Sequence, residues 1–110
     1  DDVREAPART IAETLLRAGA PVRLHDPVAC EAFKTELAPS SRVLYCENNY
    51  EAVTGADALL LVTEWPAYRR PDFRRIKELM RQPVIFDGRN IWDTEVVREL
   101  GFHYACIGRP

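Results

Sequence analysis

The sequence predicts an α/β fold of the Rossmann-like, doubly wound type: a three-layer arrangement with a parallel sheet between helices, lacking its first strand. Short strand-like runs alternate along the chain with helical patterns. Two of the runs, residues 58–62 and 84–86, are continuously apolar. Unbroken apolar runs indicate strands that are buried on both faces, as in parallel sheets covered by helices.

Each element has its own sequence signal. The first helix is predicted over residues 6–18, where apolar side chains recur at helical spacing and Gly19 follows the end. Asp26 and Pro27 are typical of a cap and first turn, which predicts a helix to about Leu37. Further helices are predicted at about 48–53, 72–80 and 94–100, and strands at 22–26, 42–46, 58–62, 84–86 and 103–107.

The predicted order begins with a helix, whereas a doubly wound sheet normally begins with a central strand. A missing first strand leaves unpaired backbone groups on both sides of a gap. Either the polypeptide starts earlier or another chain segment fills the slot. From the length we expect residues 1–110 to form a single domain, and from the missing strand we expect that domain to be a fragment of a larger protein.

Composition excludes several classes of protein. The net charge of −2 gives no electrostatic basis for binding nucleic acid, and no apolar run is long enough to predict a membrane span. The charged N-terminus predicts no signal peptide, so we expect a cytoplasmic protein. Three unpaired cysteines, Cys30, Cys46 and Cys106, lie far from CxxC spacing and are interpreted as reduced packing residues. Neither a metal site nor a catalytic residue is predicted.

The tetrapeptide Asp87-Gly88-Arg89-Asn90 follows an apolar strand directly. Ligands of such sheets bind beyond the carboxyl ends of the strands, and an arginine there offers a planar set of donors to phosphate or carboxylate. A plain Asp-Gly turn with a solvated arginine is the alternative.

Three other positions carry open alternatives. Arg4 lies in the segment that leads into the first helix, where anions bind favourably, and the alternative is that the neighbouring acids simply cap the helix. Asp26 can hold a ribose hydroxyl or cap a helix. Glu64 and Trp65 follow the most apolar strand and can contact a ligand or close the top of the sheet. His25 and His103 are interpreted as structural.

Five motifs occur in order: DDVREAP, HDP, GADALLLVTEW, PVIFDGRN and GFHYACIGR. Together they resemble the C-terminal, UDP-binding domain of the UDP-glucose/GDP-mannose dehydrogenase family over essentially the whole chain. TEW and FDGRN resemble the UDP-glucose branch more than the N-acetylmannosamine or GDP-mannose branches.

The resemblance implies a role in nucleotide-sugar oxidation, which supplies polysaccharide biosynthesis. Enzymes of this family oxidise the C6 hydroxyl of a nucleotide sugar such as UDP-glucose to a carboxylate in two NAD-dependent steps. An N-terminal domain of the same chain holds NAD and the catalytic cysteine, and a long helix builds a homodimer. By resemblance, Arg89 and Gly88 contact the UDP-sugar and Arg4 reaches toward NAD. The catalytic cysteine motif is absent, so this chain alone is expected to be inactive.

Two other functions stay open beside this one. The first is a non-enzymatic nucleotide-binding or regulatory module, which should show a complete sheet and an acidic pocket. The second is a role in assembly of the parent enzyme.

Overall fold

The computed structural model describes the backbone of residues 2–106 and the side chains of residues 8–106. Its internal contacts group into two compact units, Asp1–Ala52 and Val53–Pro110. Each unit is described by itself, and the single domain expected from the sequence stays a prediction.

The first unit contains a long helix and two short parallel strands. Helix α1 (Asp2–Arg17) ends before Gly19, whose φ of 96° suits the position after a helix. Strand β1 (Val22–Leu24) pairs in parallel with β2 (Val43–Tyr45), in the register Val22 to Val43. The strands are joined by α2 (Cys30–Lys34), and α3 (Asn49–Val53) follows β2.

The second unit contains a three-stranded parallel sheet in the order β3-β4-β5. Its elements are β3 (Leu59–Leu61), a 3₁₀ turn (Pro66–Tyr68), α4 (Phe73–Leu79), β4 (Val84–Asp87), α5 (Thr94–Glu99) and β5 (His103–Cys106). Each connection between neighbouring strands carries a helix, as parallel pairing requires. The α/β fold with parallel strands is thus confirmed. The missing first strand stays a prediction.

Helices α4 and α5 begin where the sequence predicts. The carboxylates of Asp72 and Asp93 accept backbone N–H groups of Arg75 and Val96, each at 3.1 Å. Both residues are therefore side-chain N-caps, which satisfy donors that the first helical turn leaves without partners.

Several predicted boundaries are wrong. Helix α1 begins at Asp2 instead of residue 6, and α2 begins at Cys30 instead of Pro27. Helix α2 ends at Lys34 instead of continuing to Leu37, and β1 ends at Leu24, so His25 lies outside the strand. Asp26 accepts the N–H groups of Val28 and Ala29 at 2.8 and 2.7 Å, which forms a turn before α2. This turn takes up residues 27–29, which the sequence pattern assigns to the first turn of the helix. At the other end, the N–H groups of Thr35 and Glu36 donate to carbonyl oxygens only three residues earlier, so the α-helical pattern stops at Lys34.

The expectation that the apolar strands are buried on both faces is also wrong in part. Ile85 and Asp87 are buried, at 0% and 1% exposure, whereas Phe86 between them is 50% exposed. Successive strand residues point to opposite faces of a sheet, so one face of β4 is buried and the other is half open. Among the described residues of this unit, the buried hydrophobic side chains are Val53, Leu61, Ile76, Met80, Ile85, Trp92, Val97, Phe102 and Tyr104.

Candidate functional site

The carboxyl ends of β3 and β4 lie side by side because the strands are parallel and Leu61 pairs with Asp87. Beyond this pair, the N–H of Gly88 donates to the carbonyl oxygen of Leu61 at 2.8 Å. The segment after β3 and the segment after β4 therefore leave the sheet together. They bring Glu64 and Arg89, which are 25 positions apart in the chain, to one place.

Arg89 donates from Nη2 to Oε2 of Glu64 at 3.0 Å. The side chains remain 42% and 36% exposed, so this ion pair is open to solvent and screened by it. Arginine has five N–H donors in a planar arrangement, and this exposure leaves the guanidinium accessible to a further anion. The structure thus places Arg89 at the carboxyl end of β4, as the sequence predicts, and pairs it with Glu64, which the sequence left undecided.

Asp87, the last residue of β4, organises the loop that carries Arg89. We call residues 88–92 the arginine loop. Oδ1 of Asp87 accepts the N–H groups of Arg89 and Asn90, both at 2.8 Å. Oδ2 accepts those of Ile91 and Trp92 at 3.1 and 3.3 Å. A buried carboxylate is costly unless it is hydrogen-bonded, and here the loop amides supply those bonds.

Tyr104 of β5 completes this arrangement from the other side. Its hydroxyl donates to Oδ2 of Asp87 at 2.5 Å and lies 3.2 Å from the carbonyl oxygen of Trp92. Burial, followed by the hydrogen bond to Asp87, raises the pKa of Tyr104 above its ordinary value. The phenol is therefore a proton donor to Asp87 across the neutral pH range.

The far end of the arginine loop is fixed by aromatic packing. The indole Nε1 of Trp92 donates to the carbonyl oxygen of Tyr68 at 2.8 Å, and its ring meets Phe73 edge to face, with centroids 5.0 Å apart. Between the two fixed ends, Asn90 has a φ of 57°, a left-handed conformation that asparagine tolerates better than most residues. The loop is thus held at both ends, with Arg89 between them.

The other predicted site residues are distributed as follows. Arg4 belongs to α1, but its side chain lies outside the described residues, so its predicted contact with NAD stays a prediction. Asp26 stabilises a turn through the N–H groups of Val28 and Ala29, and the helix-cap alternative is wrong because Ala29 is the N-cap of α2. Trp65 is half-buried and precedes the 3₁₀ turn, where its carbonyl oxygen accepts the N–H of Tyr68 at 2.9 Å.

The cysteines do not form a reactive site in the described part of the chain. Cys30, Cys46 and Cys106 are free thiols. Burial is the largest influence on Cys30 and Cys46 and raises the pKa of each thiol, which lowers the fraction of nucleophilic thiolate. Over the same described residues, no three His, Cys, Asp or Glu side chains are grouped to hold a metal ion. No helix among them is both long and apolar enough to cross a membrane.

Sequence reasoning missed the part that Asp87 and Tyr104 play. An aspartate directly after an apolar strand and before Gly-x-Asn is a signal for a turn stabilised by its side chain. The second carboxylate oxygen and the Tyr104 hydroxyl come together only through the pairing of β4 with β5, in which Asp87 lies opposite Cys106.

The fold and this edge define an α/β domain of parallel strands that presents a cationic side chain where such sheets bind ligands. Comparison with known proteins identifies the family. Residues 1–94 match the model of the UDP-glucose/GDP-mannose dehydrogenase family, UDP binding domain. The chain therefore belongs to this family and forms part of its UDP binding domain.

Two curated relatives and one solved structure illustrate the similarity. A UDP-glucose 6-dehydrogenase of Pseudomonas aeruginosa is 49% identical over 113 residues, covering 100% of this chain and 25% of the relative. The UDP-glucose 6-dehydrogenase TuaD of Bacillus subtilis is 38% identical and is covered to 23%. The NDP-N-acetyl-D-galactosaminuronic acid dehydrogenase of Methanosarcina mazei superposes with a TM-score of 0.74 at 31% identity, over 94% of this chain and 20% of that one. The chain thus spans a quarter or less of the length of these proteins.

Proposed function

We propose that this chain is the UDP-binding lobe of an NAD-dependent UDP-glucose 6-dehydrogenase, in which Arg89 binds the diphosphate of the nucleotide sugar. The observation that carries the proposal is the exposed guanidinium at the carboxyl end of β4, in a chain of this family. The identity of 49% to a relative named for UDP-glucose supports this sugar among those of the family.

The chemistry of binding follows from the site. A planar guanidinium makes paired hydrogen bonds to phosphate oxygens, which also fixes the direction of the bound group. Gly88 has no side chain, so a ligand at this edge of the sheet can approach the backbone closely. Glu64 holds the guanidinium when no ligand is bound, and a diphosphate competes with it for the same donors.

The redox chemistry belongs to the remainder of the parent enzyme. NAD would supply the hydride acceptor for the two successive oxidations at C6, with one NAD used in each and one water taken up to form the carboxylate of UDP-glucuronate. From membership of this family we assign NAD mainly to an N-terminal domain of the same polypeptide, with Arg4 reaching toward it. The proposal includes a cytoplasmic homodimer, and the 110-residue chain alone is expected to oxidise nothing.

Titration calorimetry with UDP tests the binding role. We expect Arg89→Ala to weaken UDP binding by roughly tenfold or more, because a charged hydrogen bond to phosphate is lost. Arg74→Ala is the matched control, since it removes an exposed arginine from α4. Equal affinity in wild type and Arg89→Ala would remove Arg89 from the site.

Glu64→Gln tests the competition between carboxylate and diphosphate. Glutamine keeps an oxygen acceptor for Arg89 but removes the charge that repels the ligand. We expect UDP affinity to rise by about threefold at low salt, because an exposed charge pair is worth little. A weaker affinity for UDP would mean that the charge of Glu64 serves the bound state instead.

A second sugar has specific support. The solved structure at 31% identity is named for an N-acetyl-D-galactosamine-derived acid, which keeps a UDP-N-acetyl-sugar as the alternative substrate. The discriminating measurement is NADH formation by the complete polypeptide with UDP-glucose, UDP-N-acetylgalactosamine and GDP-mannose in parallel. We expect the highest kcat/KM with UDP-glucose.

A further inference from the structure

A single buried carboxylate binds four of the five backbone N–H groups of the arginine loop. Asp87 is 1% exposed, and it accepts the N–H groups of four consecutive loop residues, 89–92. A carboxylate that accepts backbone donors on both oxygens fixes the loop more strictly than a neutral acceptor does, because charged hydrogen bonds are the stronger ones.

The carboxylate is itself held in one orientation. The hydroxyl of Tyr104 lies 2.5 Å from Oδ2, and Tyr104 is 4% exposed. The main chain of Asp87 is fixed by parallel pairing with Leu61 on one side and Cys106 on the other. Neither the backbone nor the side chain of Asp87 is therefore free to follow a movement of the loop.

The position of Arg89 follows from this arrangement. Its N–H group is one of the pair bound to Oδ1, so the point where its side chain leaves the backbone is set by Asp87. Glu64 then holds the other end of the side chain at 3.0 Å. Asp87 thus sets where the side chain of Arg89 leaves the backbone, and Glu64 contacts its guanidinium in a solvent-exposed ion pair.

We propose that Asp87 is a positioning residue for Arg89: through the loop amides it sets the direction of the guanidinium and so the affinity of the domain for UDP. The proposal rests on the proposed function, because it assigns Asp87 an effect on a ligand that Arg89 binds. Asp87 makes no ligand contact of its own in this account, since it is buried beneath the loop.

A double-mutant cycle separates positioning from general stability. The UDP dissociation constant is measured by calorimetry for the full chain as wild type, Asp87→Asn, Arg89→Ala and the double variant. We expect Asp87→Asn to weaken UDP binding by about tenfold when Arg89 is present and by less than about twofold when it is absent. An equal weakening in both backgrounds would overturn the proposal, as would a lower Tm with an unchanged dissociation constant.

Asp72→Ala is the matched control for this cycle. It also removes an aspartate that accepts a backbone N–H group, but at the start of α4. We expect a lower Tm with unchanged UDP affinity. If Asp72→Ala weakened UDP binding as much as Asp87→Asn, a loss of stability would explain both, and the proposal would fail.

Hydrogen exchange of the loop amides tests the positioning without any ligand. In Asp87→Asn we expect the amides of residues 89–92 to exchange roughly tenfold faster or more, relative to those of α4. Tyr104→Phe, which keeps the ring and removes the hydroxyl, should give a smaller change of the same pattern and serves if Asp87→Asn does not fold. Unchanged exchange in the folded variants would overturn the proposal. If Arg89→Ala left the affinity for UDP unchanged while Asp87→Asn still made the loop amides exchange faster, the proposed function would be contradicted and the positioning of the loop would not.

Discussion

Two aspartates that follow strands, one in each unit, form the same local turn and differ in their surroundings. Asp26 follows β1 and accepts the N–H groups two and three residues further on through Oδ1. Asp87 at the end of β4 does the same, at nearly the same distances. The second oxygen of Asp87 is bound within a buried setting, by two loop amides and by the hydroxyl of Tyr104 on a neighbouring strand.

The difference teaches how a common turn becomes a fixed site. Asp26 is half-buried, and its turn leads into the short helix α2. Asp87 is buried under its own loop and joined to a neighbouring strand, so the loop shape depends on tertiary contacts as well as on local ones. A binding residue benefits from such support, because a preorganised side chain loses less conformational entropy when it meets its ligand.

The largest expected effect is that of Asp87→Ala on stability. The change leaves buried or half-buried N–H donors without their acceptor, and we expect a loss of roughly 3 to 4 kcal/mol in the free energy of unfolding. Urea unfolding followed by Trp fluorescence measures it. A loss below about 1 kcal/mol would show that water or another group replaces the carboxylate without difficulty.

Tyr104→Phe should have the next largest effect. It removes one hydrogen bond to a buried charge while the ring packing is kept, and we expect a loss of about 1.5 kcal/mol. The same unfolding measurement applies, with Tyr45→Phe in the first unit as a matched control, because its hydroxyl donates to a neutral carbonyl oxygen, that of Leu37, at 2.6 Å. Equal losses for the two tyrosines would remove the special role of the Asp87 pair.

Asp26→Ala should destabilise less than Asp87→Ala. Its turn is partly exposed, so water can take over the N–H groups of Val28 and Ala29, and we expect a loss of about 1 kcal/mol. A thermal melt monitored by circular dichroism is sufficient for this comparison. A cost equal to that of Asp87→Ala would contradict the account of the difference between the two aspartates.

The smallest effect concerns alkaline pH. Burial raises the pKa of Tyr45 to about 12, from an ordinary value of 10.0. The unfolded chain releases this proton first, so the stabilisation is complete below the ordinary pKa and is lost as pH rises through the folded pKa. We expect Tm to fall more steeply above pH 10 in wild type than in Tyr45→Phe. Tyr104 is present in both proteins and affects the pH dependence of Tm equally in each. Equal slopes of Tm against pH in the two proteins would contradict the burial of Tyr45.

Local signals in the sequence account for much of the fold. The order of helices and strands, the starts of α4 and α5, and the place of Arg89 after a strand all follow from spacing and turn chemistry. The short length of α2 and the exposure of Phe86 do not follow from these signals. The length of α2 depends on the competition between turn and helix on either side of it. The exposure of Phe86 depends on which side chains cover that face of the sheet.

The candidate site, like the fold, could be predicted from the sequence only in part. Arg89 is a candidate in the sequence because a cation after an apolar strand has a known use in parallel sheets, and the family resemblance favours this role over a plain turn. Its partner Glu64 and its support from Asp87 and Tyr104 are tertiary contacts between segments 17 to 25 positions apart, which no local pattern encodes.

The most direct test of the central claim is an NMR titration of the chain with UDP, observing backbone amides and arginine Nε–H groups together. The account predicts that Arg89 Nε–H and the amides of residues 88–90 shift first and furthest, with little change at α2 and the turn after Asp26. If UDP bound and shifted other regions while Arg89 stayed unchanged, the diphosphate would lie elsewhere and the account would be contradicted.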